Sequence, residues 1–97
     1  MGTRYNISVV AEANINVDAV QEAVDLRLEE INRQMSTYDP ESELSRFNAD
    51  SQVDAWFAVS PDTARVAAAA IDYAERTSGA FDPTVSPAVD LWGFGPV

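Results

Sequence analysis

Six apolar side chains recur in this chain at steps of three or four: Val17, Val20, Val24, Leu28, Ile31 and Met35. A helical turn of 3.6 residues places such a series on one stripe. Asp25, Glu29, Glu30 and Arg33 fall on the outer face. The spacing predicts an amphipathic helix of roughly 20 residues, and most of the stability of such a helix comes from covering its stripe. Asn16 stands at the N-cap position, where its side-chain oxygen can accept from a free amide of the first turn. Tyr38-Asp39-Pro40 ends the pattern, because the residue before a proline avoids helical angles.

On the N-terminal side, Tyr5, Ile7, Val9 and Ala11 alternate with Asn6, Ser8, Val10 and Glu12. That period of two, with Val10 the exception, predicts a strand over Arg4 to Ala13. Glu41 to Asn48 reads as a short helical turn, and DAWFAV, Asp54 to Val59, as a second short strand. Ser60-Pro61-Asp62 then supplies a cap, a proline at the first helical position and an acid in the first turn. The helix it opens runs to about Thr77 and stops at Gly79, the expected left-handed residue. Its alanines at 67–70 give it a thin face that can approach another element closely. The predicted order is strand, helix, strand, helix, an α+β fold in a single domain over residues 1–97, with no repeat or linker. Two strands do not make a self-sufficient sheet, so the predicted sheet is incomplete.

Charge and composition exclude several functions. The 97 residues carry 16 acidic side chains against 6 basic ones, a net charge of −10. Binding a phosphate backbone requires Lys and Arg, so nucleic acid is excluded as a partner, and docking on an anionic membrane surface is disfavoured for the same reason. The chain has no cysteine and no histidine. It therefore lacks thiolate chemistry, the commonest general base and the commonest transition-metal ligand. The start, MGTRYNISVV, lacks the basic-then-apolar order of a signal peptide.

Two segments hold the residues suited to chemistry. MSTYDPESELSRFN, Met35 to Asn48, combines hydroxyls, acids, one arginine and an aromatic ring at a helix end. Tyr38 there could offer its face to a planar ligand or could simply end a helix. Ser42 and Ser45 are serine nucleophiles in type only, since no histidine of this chain can activate them. GAFDPTVSPAVDLWGFG, Gly79 to Gly95, is the second. Asp82-Pro83-Thr84 is a turn signal, the reading its residues favour, and Asp82 could instead meet a ligand hydroxyl or a nucleotide base. Trp92, Phe94 and their glycines could admit a ligand to the backbone or plug a core. Gly93-x-Gly95 is no dinucleotide fingerprint, because it lacks the third glycine and the preceding strand. Asp18, Glu22 and Asp25 share one helical side and read as a solvated face rather than a magnesium site.

Taken together, MGTRYNI at 1–7, MSTYDPESELSRFN at 35–48 and GAFDPTVSPAVDLWGFGP at 79–96 resemble the ApbE family of FAD:protein FMN transferases. The likeness spans the whole chain. It implies the N-terminal portion of an ApbE-like, T-fold-type domain, with an export or lipoprotein signal and lipid anchor preceding these residues in the full protein. It also implies a location in the periplasm or on the outer face of the bacterial inner membrane.

The reaction implied is Mg2+-dependent cleavage of FAD with transfer of FMN to a threonine of a target flavoprotein. By the resemblance, Met1 packs at the flavin nucleotide, Tyr38 lies against the flavin ring, and Ala80, Phe81 and Asp82 contact FAD. Thr84, Trp92 and Phe94 match supporting positions. The magnesium ligands and the base match nothing here and are expected outside this chain, leaving the catalytic residues unknown and the chain inactive alone. Ser86, Ala88 and Asp90 depart from the family's usual Gly, Leu and Asn, which bears on fine specificity. Two alternatives share these residues: a non-catalytic FAD-binding protein and an FAD pyrophosphatase.

Overall fold

Side-chain oxygens begin the first three helices of the computed structural model, which describes residues 2–94. The Asn16 carboxamide oxygen accepts from the Ala19 amide at 3.1 Å and opens α1, Val17–Met35. The Ser42 hydroxyl accepts from the Ser45 amide at 3.1 Å and opens α2, Glu43–Ala49. The Ser60 hydroxyl accepts from the Thr63 amide at 3.4 Å and opens α3, Pro61–Arg76, with Pro61 in its first turn. Each such cap is worth about 1 kcal/mol, because it satisfies an amide that the helix leaves free. The last helix, α4, Ser86–Leu91, has no side-chain cap and carries Pro87 in its first turn.

The C-terminal ends of α3 and α4 close by the same device. After α3 the Gly79 amide reaches back to the Ala74 carbonyl at 2.9 Å, and the Ser78 amide to Glu75 at 3.1 Å. This is the paired-bond Schellman arrangement. The left-handed residue at the first position past the cap is Ser78, φ 53°, and Gly79 follows with φ 84°. The expected Gly79 stop thus extends over two residues. After α4 the Phe94 amide bonds the Val89 carbonyl at 3.1 Å and the Gly93 amide bonds Asp90 at 3.0 Å. Here the glycine, φ 76°, occupies the left-handed position.

The α+β expectation fails. Among the described residues every regular element is an α-helix, and neither Arg4–Ala13 nor Asp54–Val59 is a strand. The physical reason is pairing. Alternation predicts which face a strand would bury, but a strand exists only when a neighbour completes its ladder. Residues 4–13 exchange no backbone hydrogen bond among the described residues. They run extended beside α1, held by a side-chain knot. The Tyr5 hydroxyl donates to Asp25 Oδ1 at 2.7 Å, and Gln21 Nε2 donates to both Asp25 oxygens at 3.0 Å.

α1 packs against α2 and α3. Its stripe faces them in part: Val20, Val24, Leu28, Ile31 and Met35 are half-buried. No apolar side chain among the described residues is fully buried. The radius of gyration, 17.2 Å, exceeds the roughly 13 Å of a compact domain of about 100 residues. Polar contacts instead make the joints. Arg27 donates from Nη2 to Asp62 at 2.7 Å, tying α1 to the first turn of α3, and from Nη1 to Glu30 at 2.8 Å. The Glu43 carboxylate accepts from the Ser60 amide at 2.8 Å and the Ser60 hydroxyl at 3.0 Å, joining the start of α2 to the start of α3. Phe47 meets Phe57 edge-to-face at 5.5 Å beside that joint.

The Thr63 hydroxyl, with the amide and hydroxyl of Ser60, holds the Glu43 carboxyl below the ordinary glutamate range. A depressed folded pKa means that the joint's stabilisation is present above the unfolded value, about 4.3, and is lost as pH falls through the folded pKa. The Ser60 amide proton should therefore keep its hydrogen-bonded shift down to a pH below that value and move upfield only beneath it. Glu43→Gln should abolish this titration. An NMR pH series with a midpoint at or above the free-glutamate range counts against the joint.

Candidate functional site

The loop between α1 and α2 presents Tyr38. Ser36 caps the C-terminal end of α1 through its amide, which bonds the Asn32 carbonyl at 3.0 Å. Its hydroxyl then accepts from the amides of Tyr38 and Asp39, each at 3.2 Å. The turn leaves the Tyr38 ring 70% exposed. Gly2 lies against that ring: a Cβ on Gly2 would stand 3.7 Å from Tyr38 Cε2. Gly2 has φ 53°, a left-handed conformation that glycine adopts freely. The fold therefore brings the first and second sequence blocks together. Met1 itself lies outside the described residues.

The third block hangs from the end of α3. The Phe81 amide donates to Thr77 Oγ1 at 3.1 Å, and the Ala80 amide to the Thr77 carbonyl at 3.2 Å. Asp82 Oδ1 accepts from the Thr84 amide at 2.8 Å and the Thr84 hydroxyl at 2.7 Å. Of the two readings open for Asp82, the turn is the one in place, and its second oxygen makes no hydrogen bond among the described residues. The Thr84 hydroxyl first, and then the Thr84 amide, lower the pKa of this exposed carboxyl from the usual aspartate value.

A cleft of about 880 Å³ runs between the second and third blocks, lined among others by Thr37, Ser45, Asn48, Phe81, Asp82 and Asp90. Its size falls within the range of small-molecule sites, about 300–1,000 Å³. It takes in Phe81 and Asp82, and it reaches Thr37, the neighbour of Tyr38. Tyr38 and Ala80 do not line it. No lysine or arginine lines it either, and Asp82 and Asp90 make it acidic. Trp92 and Phe94, expected to be supporting residues, are 77% and 82% exposed.

The residues that sequence reasoning did not assign are Gly2, Ser36 and Gly93. Gly93 ends α4, a role that glycine one residue past a helix cap signals. Ser36, two residues before Tyr38, carries the pattern of a hydroxyl-capped turn. Ser42 is excluded as a nucleophile: it is fully buried, its hydroxyl donates to the Ser36 carbonyl at 2.6 Å, and it accepts from the Ser45 amide. Among the described residues no three acidic side chains converge on a metal position. Asp25, one of the acids on α1, is bonded to Gln21 and Tyr5 and is held below its ordinary pKa by them.

These features define a helical segment that presents an aromatic face and an open acidic cleft. The chain belongs to the ApbE family, whose model matches residues 1–97. It is 48% identical over 97 residues to the FAD:protein FMN transferase of Vibrio cholerae, across 99% of this chain and 29% of that protein. It is 43% identical over 98 residues to the FAD:protein FMN transferase of Haemophilus influenzae, across 99% of this chain and 28% of that protein. The solved structure of the flavin transferase ApbE from Vibrio cholerae superposes with a TM-score of 0.83 at 46% identity, covering 90% of this chain and 28% of that one. The chain thus spans less than a third of the length of the curated relatives it matches.

The Asp82–Thr84 turn makes a direct prediction. In Thr84→Val, Asp82 keeps the amide bond but loses the hydroxyl. Its carboxyl midpoint, followed by carbon NMR, should rise toward the ordinary aspartate range. An unchanged midpoint would show that the Thr84 hydroxyl does not hold Asp82.

Proposed function

We propose that this chain is the N-terminal part of a Mg2+-dependent FAD:protein FMN transferase. The family match from end to end carries the proposal, and the convergence of its three motif blocks on neighbouring surfaces supports it. In the proposed reaction the hydroxyl oxygen of a threonine on a target flavoprotein attacks the FMN-side phosphorus of FAD. A threonine–phosphate bond forms, the pyrophosphate bond breaks, and AMP leaves. The threonine proton passes to a base, which this reading places in the rest of the protein.

Tyr38 presents a ring face for the flavin, and Phe81 and Asp82 stand at a cleft that fits neutral ring or ribose portions of the ligand. The acidic cleft does not fit the pyrophosphate, whose charge has no basic partner among the residues lining it. Among the described residues no group of three or more potential metal ligands comes together, and in this reading the magnesium ligands belong to the rest of the protein. The full-length protein acts in the periplasm or at the outer face of the bacterial inner membrane, lipid-anchored ahead of this segment. No helix among the described residues is long and apolar enough to cross a membrane.

Incubating the full-length protein with FAD, Mg2+ and a target flavoprotein should yield covalently bound FMN and free AMP, read by mass spectrometry. AMP and free FMN without transfer would favour a pyrophosphatase. FAD binding without cleavage would favour a non-catalytic flavin protein.

Tyr38 gives the sharper test. An aromatic contact adds roughly 0.5–1.5 kcal/mol beyond buried area. In the full-length protein Tyr38→Ala should therefore weaken FAD binding about tenfold or somewhat more once lost burial is included. Tyr38→Phe should keep most of the affinity. Equal losses in both variants, measured by FAD titration, would transfer the role from the ring to the hydroxyl.

A further inference from the structure

Ser42 is the only residue among those described whose side chain is fully enclosed. In a molecule that encloses no apolar side chain, this places the most complete packing around a hydroxyl. Both of that hydroxyl's capacities are used. It donates to the Ser36 carbonyl at 2.6 Å and accepts from the Ser45 amide at 3.1 Å. The Ser45 hydroxyl donates to the same Ser36 carbonyl at 3.1 Å. One carbonyl therefore receives two hydroxyls from α2 and its cap.

Ser36 passes this constraint on. Its own hydroxyl accepts from the Tyr38 and Asp39 amides, so residue 36 is held by α2 through its carbonyl and holds residue 38 through its side chain. The Asp39 carbonyl accepts from the Ser42 amide at 3.1 Å and closes the circuit. Nothing comparable restrains the Tyr38 side chain. It is largely exposed, its hydroxyl makes no hydrogen bond among the described residues, and its described neighbour is the backbone of Gly2. The three serines therefore set the backbone from which the ring projects, while the ring keeps its own rotamers.

We propose that Ser36, Ser42 and Ser45 are positioning residues for Tyr38, which fix the backbone that presents its ring to the planar ring of the ligand. The three act through Tyr38 and do not touch the ligand. This rests on the reading of Tyr38 as the flavin-facing residue. Preorganisation of this kind raises affinity because the bound geometry exists before the ligand arrives.

A double-mutant cycle in the full-length protein separates positioning from a merely structural role, because coupled residues deviate from additivity. The readout is the equilibrium dissociation constant for FAD, with a thermal melt of each variant in parallel. Ser36→Ala should weaken binding about three- to tenfold, an effect within the coupling range of contacting residues. Ser36→Thr, which retains the oxygen acceptor, should restore most of the affinity. In a Tyr38→Ala background Ser36→Ala should have no further effect. Ser42→Ala and Ser45→Ala should behave in the same way. Should the buried Ser42 variant fail to fold, the half-buried Ser36 and Ser45 variants carry the comparison.

Equal losses with and without the Tyr38 ring would overturn the proposal and leave the serines a structural role. So would undiminished binding in Ser36→Ala beside a clear loss in Tyr38→Ala. Undiminished binding in Tyr38→Ala itself would instead remove the flavin-facing reading, and the positioning proposal with it.

Discussion

The arrangement of this segment depends on hydroxyl groups that stand in for a core. Three helices meet where Ser36, Ser42, Ser45, Ser60 and Thr63 exchange hydrogen bonds with backbone groups and with Glu43. A hydrogen bond adds only about 0.5–1.5 kcal/mol net, so the network does not replace hydrophobic burial in magnitude. What it provides is direction. Hydrophobic contact between half-buried Val24, Leu28 and Ile31 and their neighbours lets helices slide. The Glu43–Ser60 and Ser42–Ser36 bonds fix where α2 begins relative to the end of α1 and the start of α3. Removing one partner also leaves a desolvated polar atom behind, which makes the joint harder to loosen than its net worth suggests.

The two candidate surfaces are short loops that hydroxyl groups at helix ends hold in place. The Tyr38 turn and the Phe81–Thr84 turn both follow long helices, α1 and α3, whose ends are closed by defined bonds. The Thr77 hydroxyl donates back to the Tyr73 carbonyl at 2.8 Å while accepting from the Phe81 amide. A hydroxyl near a helix end thus links the rigid element to the loop beyond it. Ser36 performs the equivalent service after α1. Loops that carry function gain their precision from such scaffold contacts.

How much of this could be read from sequence followed the range of the signal. Asn16 and Ser60 identified two helix starts correctly, because a cap is settled within three residues. The stripe from Val20 to Met35 identified α1 and its inward face, since i, i+3 and i+4 neighbours belong to one helix. Arg4–Ala13 and Asp54–Val59 were misread because strand formation depends on a partner elsewhere, which alternation does not encode. The helix at Ser86–Leu91 passed unnoticed because six residues give no periodicity, although Gly93 marked its end. At the site, Tyr38, Phe81 and Asp82 stood out through residue type. The contact of Gly2 with Tyr38 did not, since it joins residues separated by most of α1. Family resemblance gave the roles, and local physics gave their supports.

Charge decides how the proposed site divides its work. Tyr38, Phe81 and the cleft wall present aromatic and uncharged groups, and the charged side chains lining the cleft, Asp82 and Asp90, are both acidic. A dinucleotide ligand carries its negative charge on the pyrophosphate, and like charges brought close together repel. A pyrophosphate beside Asp82 would therefore need a cation between them or a position well away from the carboxylate. Asp82 has its charged form stabilised by Thr84, so it does not readily escape that repulsion by taking a proton. In the proposed function the ring systems fall to this segment and the anionic centre to groups that bring positive charge. On that proposal, recognition of the ligand and stabilisation of the reacting phosphorus are carried by different parts of the protein.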